Sequence, residues 1–209
     1  MAAFWNEVRA AWVAFAWYEW VALVTGVIYV WLAARQLRSC WYWGILSCLL
    51  WAYADVFYYL LYLDAILQIF YVGMGIWGIL QWSNSSTGQG IQIERIPWRE
   101  HLKILALIVP GSLFFGYFFD AYTPAAATYA DAFTTIAAIV ATWLTVKRKL
   151  ENWWYWMVID VVYIGITWSR GAYLYALLYL IYTFVAIFGW IAWKKQWMIQ
   201  IKYSTAKDQ

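Results

Sequence analysis

The tripeptide Trp-Tyr-Trp occurs at residues 41–43 and again at 154–156, 113 residues apart, and its surroundings are repeated as well. Basic residues precede both copies: Arg35 and Arg38 in one case, Lys147, Arg148 and Lys149 in the other. Downstream, at an offset of 111, Tyr62 matches Tyr173, Ala65 matches Ala176, Leu67 matches Leu178, Tyr71 matches Tyr182, Gly78 matches Gly189 and Trp82 matches Trp193. A block duplicated on either side of a non-repeating middle predicts two similar halves, and the interface between them is where a site is expected.

Composition puts those halves in a bilayer. Of the 209 residues, 66% are hydrophobic and 12% charged, against roughly 45–50% and 25% in soluble domains. Charges are bunched between apolar runs near the length that an α-helix needs to cross about 30 Å of hydrocarbon. Seven such runs are predicted, at 16–34, 41–57, 60–82, 103–121, 127–146, 153–169 and 172–193, with six as the rival count because two of the breaks are short. Short loops keep Lys and Arg on the cytoplasmic side. With seven spans, all but Arg9 and Arg170 of the 14 Lys and Arg fall on one side of the membrane. The amino terminus is therefore expected outside and the carboxyl terminus in the cytoplasm. The net charge of +3 reflects this topology and contact with anionic lipid, and no nucleic-acid partner is expected.

The predicted organisation is all-α and polytopic. It comprises an interfacial segment at 1–15, a three-helix unit at 16–82, a cytoplasmic linker with a connecting helix at 83–126, a second three-helix unit at 127–193, and a cytoplasmic tail at 194–209. The first segment has no cationic start or small-residue cleavage site, so a removable signal peptide is not expected. Pro110-Gly111 is expected to loosen the connecting helix. Three spans, one linker span and three spans form a 3+1+3 plan, which orients both units alike and relates them by an axis along the membrane normal.

Enzyme signatures are nearly absent. His101 is the single histidine and has no partner of similar kind nearby for a His-based metal site, and Cys40 and Cys48 read as small buried hydrophobes. No phosphate loop or nucleophile motif occurs, and no cofactor is expected. A membrane enzyme and a non-transporting receptor are the readings from other classes; a reactive cluster would mark the first and ligand binding without flux the second.

What the chain does carry is aromatics, 19 Trp, 18 Tyr and 11 Phe, more than interfacial belts require. Asp64, Gln68 and Tyr71 share one face of the third span, and their repeat equivalents are Tyr175, Tyr179 and Tyr182. Asn152, Trp156 and Asp160 share a face of the sixth, with Trp43 and Ser47 among the expected equivalents. Asn152 also reads as a helix cap and Gln68 as interhelical glue. Asp160 falls near mid-membrane, where a carboxylate costs at least about 2.5–3.5 kcal/mol unless it pairs or meets water. A cavity is the favoured reading. Aromatic walls with amide and carboxylate groups suit a flat, partly polar, cationic ligand.

Residues 25–33 (Thr-Gly-Val-Ile-Tyr-Val-Trp-Leu-Ala), residues 64–71 (Asp-Ala-Ile-Leu-Gln-Ile-Phe-Tyr), Gly75-Ile76-Trp77-Gly78, Gln81-Trp82, and Glu151-Asn152-Trp153-Trp154-Tyr155-Trp156 with Asp160 and Leu177-Leu178-Tyr179 resemble the PnuC-type nicotinamide riboside transporters. The resemblance runs from about residue 16 to 195. It implies a bacterial inner-membrane protein sharing the plan of the SWEET sugar transporters. It also implies nicotinamide riboside as substrate, facilitated diffusion, and a homo-oligomer, for which a trimer is the form considered. By resemblance, Gln68, Tyr71, Asn152 and Trp156 bind substrate with Asp160 as an electrostatic partner, and symmetry adds Tyr179 and Tyr182. Thiamine, riboflavin or a deoxynucleoside as substrate, and proton-coupled uptake, are the alternatives kept open.

Overall fold

The computed structural model describes residues 2–83, 92–122 and 128–207. The polar run at 84–90, expected as a cytoplasmic linker, lies outside the described residues. The described chain is helical: α1 (Ala2–Ala14), α2 (Trp17–Ala34), α3 (Cys40–Ala54) running into a π-helical turn (Asp55–Tyr59), α4 (Tyr62–Ser83), α5 (Trp98–Tyr122), α6 (Thr128–Val146), α7 (Asn152–Ser169) and α8 (Tyr173–Lys207). A single parallel bridge between Glu94 and Lys149 is the one piece of extended pairing among the described residues. All-helical structure is what hydrocarbon permits, because each helix satisfies its own backbone polar groups.

Five helices, α2, α4, α5, α6 and α8, are long and apolar enough to cross a membrane. The other two predicted spans correspond to α3 and α7. Their Trp and Tyr lower the mean hydropathy without adding charge, and α3 has only 15 helical residues before the π turn. Helix α5 is continuous through Pro110; the Ser112 hydroxyl donates to the Ile108 carbonyl at 2.6 Å beside it. Helix α8 runs well beyond the expected end at residue 193. Its extension holds the segment at 93–96: the Ile93 amide donates to Gln200 Oε1 at 3.1 Å, and the Arg95 guanidinium lies 5.3 Å from the centre of the Trp197 ring.

Packing follows the duplication. Helix α2 packs on α3 and α3 on α4, while α6 packs on α7 and α7 on α8. Between the halves, α2 meets α8 and α4 meets α6, and exchanging the halves turns one contact into the other. Helix α5 packs its backbone against α6, and its His101 ring stacks on Tyr155 of α7.

The structure corrects the register of the repeat. Trp41 and Trp153 are both 2% exposed and occupy equivalent places, whereas Trp154, the sequence match of Trp41, is 41% exposed like Tyr42 at 55%. The preceding turns agree with this offset of 112. Gln36 and Arg148 have φ of 60° and 56°, and the Leu37 and Lys149 amides donate to the Leu32 and Leu144 carbonyls at 3.0 and 2.9 Å. Trp156 and Asp160 therefore correspond to Gly44 and Cys48, not to Trp43 and Ser47. Past the end of α3 the offset is 111, with Leu60 and Gly171 at φ 56° and 73°. The π turn is where the first half absorbs its extra residue: the Leu61 amide reaches back to the Asp55 carbonyl, and the Ala172 amide to that of Thr167, one residue closer.

Gly78 and Gly189 let the Trp41 and Trp153 rings lie against the last helix of each half. A Cβ at Gly78 would sit 2.3 Å from Trp41 Cε2, and one at Gly189 2.6 Å from Trp153 Cε2. A rigid indole cannot withdraw as a flexible side chain would, so overpacking at either site costs about 1–3 kcal/mol. Gly78→Ala and Gly189→Ala are expected to lower the thermal midpoint in detergent. Gly73→Ala, where nothing lies within 4 Å of the added atom, serves as the control and is expected to leave it unchanged.

A candidate solute-binding chamber

Between the halves lies a cavity of about 920 Å³, walled by α2, α3, α4, α6, α7 and α8. That volume falls within the range of small-molecule sites, roughly 300–1,000 Å³.

At one end, the mouth, sit the first residues of α2, α4, α6 and α8 and the last of α3 and α7. Each half is tied there by a carboxylate on its first helix. Glu19 caps α2 by accepting from the Ala16 amide at 2.8 Å and also accepts from the Tyr59 hydroxyl. Asp131, its equivalent at offset 112, pairs with Arg170 at 2.7 Å. Asp55 and Asp64 line the same end.

The middle carries most of the predicted residues. Gln68, Tyr71, Trp156, Asp160, Tyr179 and Tyr182 all line the chamber, as do Asp64 and Tyr175 from the two predicted stripes. Tyr179 stacks on Tyr163 with ring centres 4.5 Å apart and planes at 9°, and Tyr182 stands at 74° to Tyr179. Tyr182 reaches across to α2, where its hydroxyl would be 2.7 Å from a Cβ at Gly26. Asp160, 4% exposed, makes no hydrogen bond or ion pair among the described residues, and neither does the Gln68 amide. Polar groups left unpaired inside a protein are expensive unless something in the cavity meets them.

Asn152 is the exception. It is fully buried behind the wall and does not line the chamber. It does not cap α7, whose N-cap is Glu151 without a side-chain cap bond; its Nδ2 donates back to the Lys149 carbonyl at 2.7 Å, and its Oδ1 accepts from Thr145 Oγ1 at 3.1 Å. Thr145 in turn accepts from Trp156 Nε1 at 3.2 Å. Asn152 and Thr145 thus fix the plane of the Trp156 indole from behind. The first half has no such relay, since Ala33 and Gly44 hold the equivalent positions. Sequence reasoning missed Thr145, Cys48 and Tyr163; shifting the repeat alignment to 112 would have exposed Cys48 and Thr145 as partners of Asp160 and Ala33.

The opposite end is closed. Trp41 and Trp153 form the floor, with Trp82 and Trp193 beneath them in one buried cluster. Outside this, Glu151 accepts from Arg95 Nε at 2.8 Å and from the Ile96 amide at 2.9 Å, and Arg148 donates to the Gln81 carbonyl of α4. Among the described residues no group of three His, Cys, Asp or Glu is placed to hold a metal ion. His101 lies outside the chamber, its Nδ1 2.8 Å from the Tyr155 hydroxyl.

A helical membrane protein with an aromatic chamber between two like halves, open at one end and sealed at the other, is built as a solute transporter. Residues 16–195 match the protein family described as nicotinamide mononucleotide transporter, and the chain belongs to that family. It is a membrane transporter and not an enzyme. Among its relatives is the nicotinamide riboside transporter PnuC of Escherichia coli strain K12, 26% identical over 205 residues that cover 85% of each chain. The riboflavin/roseoflavin transporter RibM of Streptomyces davaonensis is 23% identical over 85% of this chain and 84% of its own. A crystal structure of the vitamin B3 transporter PnuC has the same fold, with a TM-score of 0.72 at 23% identity over 93% of this chain and 90% of that one.

The two cysteines test the chamber without any substrate. Cys48 lines the wall, while Cys40 is fully buried in the floor cluster. A small thiol reagent is expected to alkylate Cys48 in the folded protein and to spare Cys40 until it unfolds, as read by peptide mass spectrometry. Equal protection of both would mean that the chamber is not reachable.

Proposed function

We propose that the protein imports nicotinamide riboside across a bacterial inner membrane, and that Asp160 and the aromatic wall select its cationic pyridinium ring. The observation that carries this reading is an unpaired carboxylate, Asp160, set among Trp156, Tyr179 and Tyr182 in a chamber of fitting size. Aromatic faces and a nearby anion both favour a flat cation. Gln68 and the Tyr71 hydroxyl are suited to the carboxamide and ribose, which need partners once they leave water. Asn152 takes part from behind the wall, through Thr145 and Trp156. Relatives named as nicotinamide riboside transporters support the same substrate.

The topology we infer has seven spans in a 3+1+3 plan like that of the SWEET transporters, with α5 as the connecting span and the amino terminus outside. The reciprocal contacts of α2 with α8 and α4 with α6, and the packing of α5 against the second half, support it. Basic residues support the orientation: Arg35, Arg38, Arg95, Arg99, Lys103, Lys147, Arg148 and Lys149 lie toward the sealed end, and Arg170 toward the mouth. The sealed end then faces the cytoplasm. Exposed side chains such as Phe114, Tyr117 and Phe118 meet lipid, and a homo-oligomer would cover part of the same surface.

Transport proceeds by alternating access, with the halves rocking about the bound solute. No ion-binding cluster is evident among the described residues, in keeping with facilitated diffusion. In proteoliposomes, labelled nicotinamide riboside is expected to equilibrate and not to accumulate, with or without a pH gradient; accumulation that needs the gradient would establish proton coupling instead. Riboflavin and thiamine serve as competitors; one relative is named for riboflavin. Asp160→Asn is expected to weaken nicotinamide riboside about ten- to hundredfold, the scale of one charge pair at partly screened range. The uncharged dihydro form should change little. Equal loss for both forms would remove the charge-recognition reading.

A further inference from the structure

The floor of the chamber has a symmetry that binding does not require. Trp82 Nε1 donates to the Val146 carbonyl at 3.1 Å, and Trp193 Nε1 donates to the Ala33 carbonyl at 3.1 Å. Trp82 and Trp193 are repeat equivalents, and each donates to a carbonyl in the last turn of the first helix of the opposite half, Val146 in α6 and Ala33 in α2, one residue apart in the repeat register. Each half therefore reaches across to the same turn of the other. The four rings form a chain. Trp41 meets Trp82 edge-on at 5.4 Å and 86°, Trp82 meets Trp193 at 6.0 Å, and Trp193 meets Trp153 edge-on at 5.5 Å and 86°.

Only half of the indole donors are satisfied. Trp41 Nε1 and Trp153 Nε1 are buried without a hydrogen-bond partner, and they are the side-chain atoms so placed among the described residues. Orphan donors at two symmetry-related positions of one cluster are a feature in need of a cause. Their two neighbours in the cluster are bonded, at the same level and across the same interface.

Resting on the transporter reading above, we propose that Trp41, Trp82, Trp153 and Trp193 are the gate through which the solute leaves toward the cytoplasm. Closed, the gate gains two reciprocal hydrogen bonds between the halves and leaves two donors dry. Open, it breaks the two bonds while the Trp41 and Trp153 donors meet water or the departing solute. The opposing contributions keep the closed gate from becoming a trap, which a path that must open at every cycle needs.

The two pairs then act in opposite directions. Replacing Trp82 or Trp193 by Phe removes a bond made only in the closed gate and should favour opening. Replacing Trp41 or Trp153 by Phe removes a donor dried only in the closed gate and should favour closure. Cys48 in the chamber wall reports the outcome. In inside-out membrane vesicles, a membrane-impermeant methanethiosulfonate reagent reaches Cys48 only through the open gate, and the modified peptide is quantified by mass spectrometry. Relative to the wild type, Trp82→Phe and Trp193→Phe are expected to speed labelling about two- to tenfold, the scale of one net hydrogen bond. Trp41→Phe and Trp153→Phe are expected to slow it. If a Phe variant does not fold, benzothienylalanine, which keeps the indole shape and lacks the N–H, replaces that tryptophan and is read in the same way. Opposite shifts for the two pairs support the gate, whether or not nicotinamide riboside is the solute carried. Unchanged labelling, or a shift of one sign for all four positions, overturns it while leaving the transport reading intact. A response confined to right-side-out vesicles also overturns it, because the tryptophans would then lie on the other face.

Discussion

A carboxylate held between apolar helices has to be paired, neutralised or hydrated, and the chain contains one example of the first solution and one that lacks it. Glu151 is fully buried and accepts from Arg95 and from the Ile96 amide, so its charge is spent on fastening the segment before α5 to the start of α7. Asp160, inside the helix that Glu151 precedes, has no such partner. Its burial in the charged form is tolerable only if the space beside it holds water or a cation, and the chamber is that space. The aromatic walls, the mouth and the sealed floor all acquire their meaning from this unpaired charge.

Duplication supplies the frame, and its differences make the chamber asymmetric. The two halves share their turns, their crossing contacts, their glycine–tryptophan packing and their floor, which is where backbone position matters most. They differ at the wall. Asp160 faces the chamber where the first half has Cys48, Trp156 where it has Gly44, and Thr145 where it has Ala33. A two-fold chamber would offer an unsymmetrical solute two equal poses; these differences remove that equivalence. The mouth shows the same pattern, with Glu19 and Tyr59 in one half matched by Asp131 and Arg170 in the other. The π turn adds a further asymmetry, lengthening the first half by one residue next to Asp55.

Much of this could be read from the residues. Helical periodicity put Gln68 and Tyr71 on one face and Tyr179 and Tyr182 on another, and all four line the chamber. The Asp160 reading rested on depth in the membrane and needed no fold. The misread parts have physical causes. Trp-Tyr-Trp is an identity of composition, and matching it put the second copy one residue out; burial, which separates Trp153 from Trp154, cannot be seen in a chain where nearly every neighbour is aromatic. Asn152 shares the helical face of Trp156, yet its place at the first turn of α7 turns its amide toward the Lys149 carbonyl. The length of α8 was hidden because its end is charged and packs on the 93–96 segment, so no hydropathy window extends that far. The tryptophan floor was missed although Gly78, Gly189, Trp82 and Trp193 had been matched, since spacing cannot reveal a hydrogen bond to a carbonyl of the other half.

The most direct test of the account is an experimental structure of the protein with nicotinamide riboside. The pyridinium ring should lie between the halves against Trp156 and the Tyr179–Tyr182 pair, with Asp160 as its nearest carboxylate and Gln68 within hydrogen-bonding distance of the ligand. A ligand bound elsewhere, with Asp160 turned to lipid or paired to a protein cation, would contradict it.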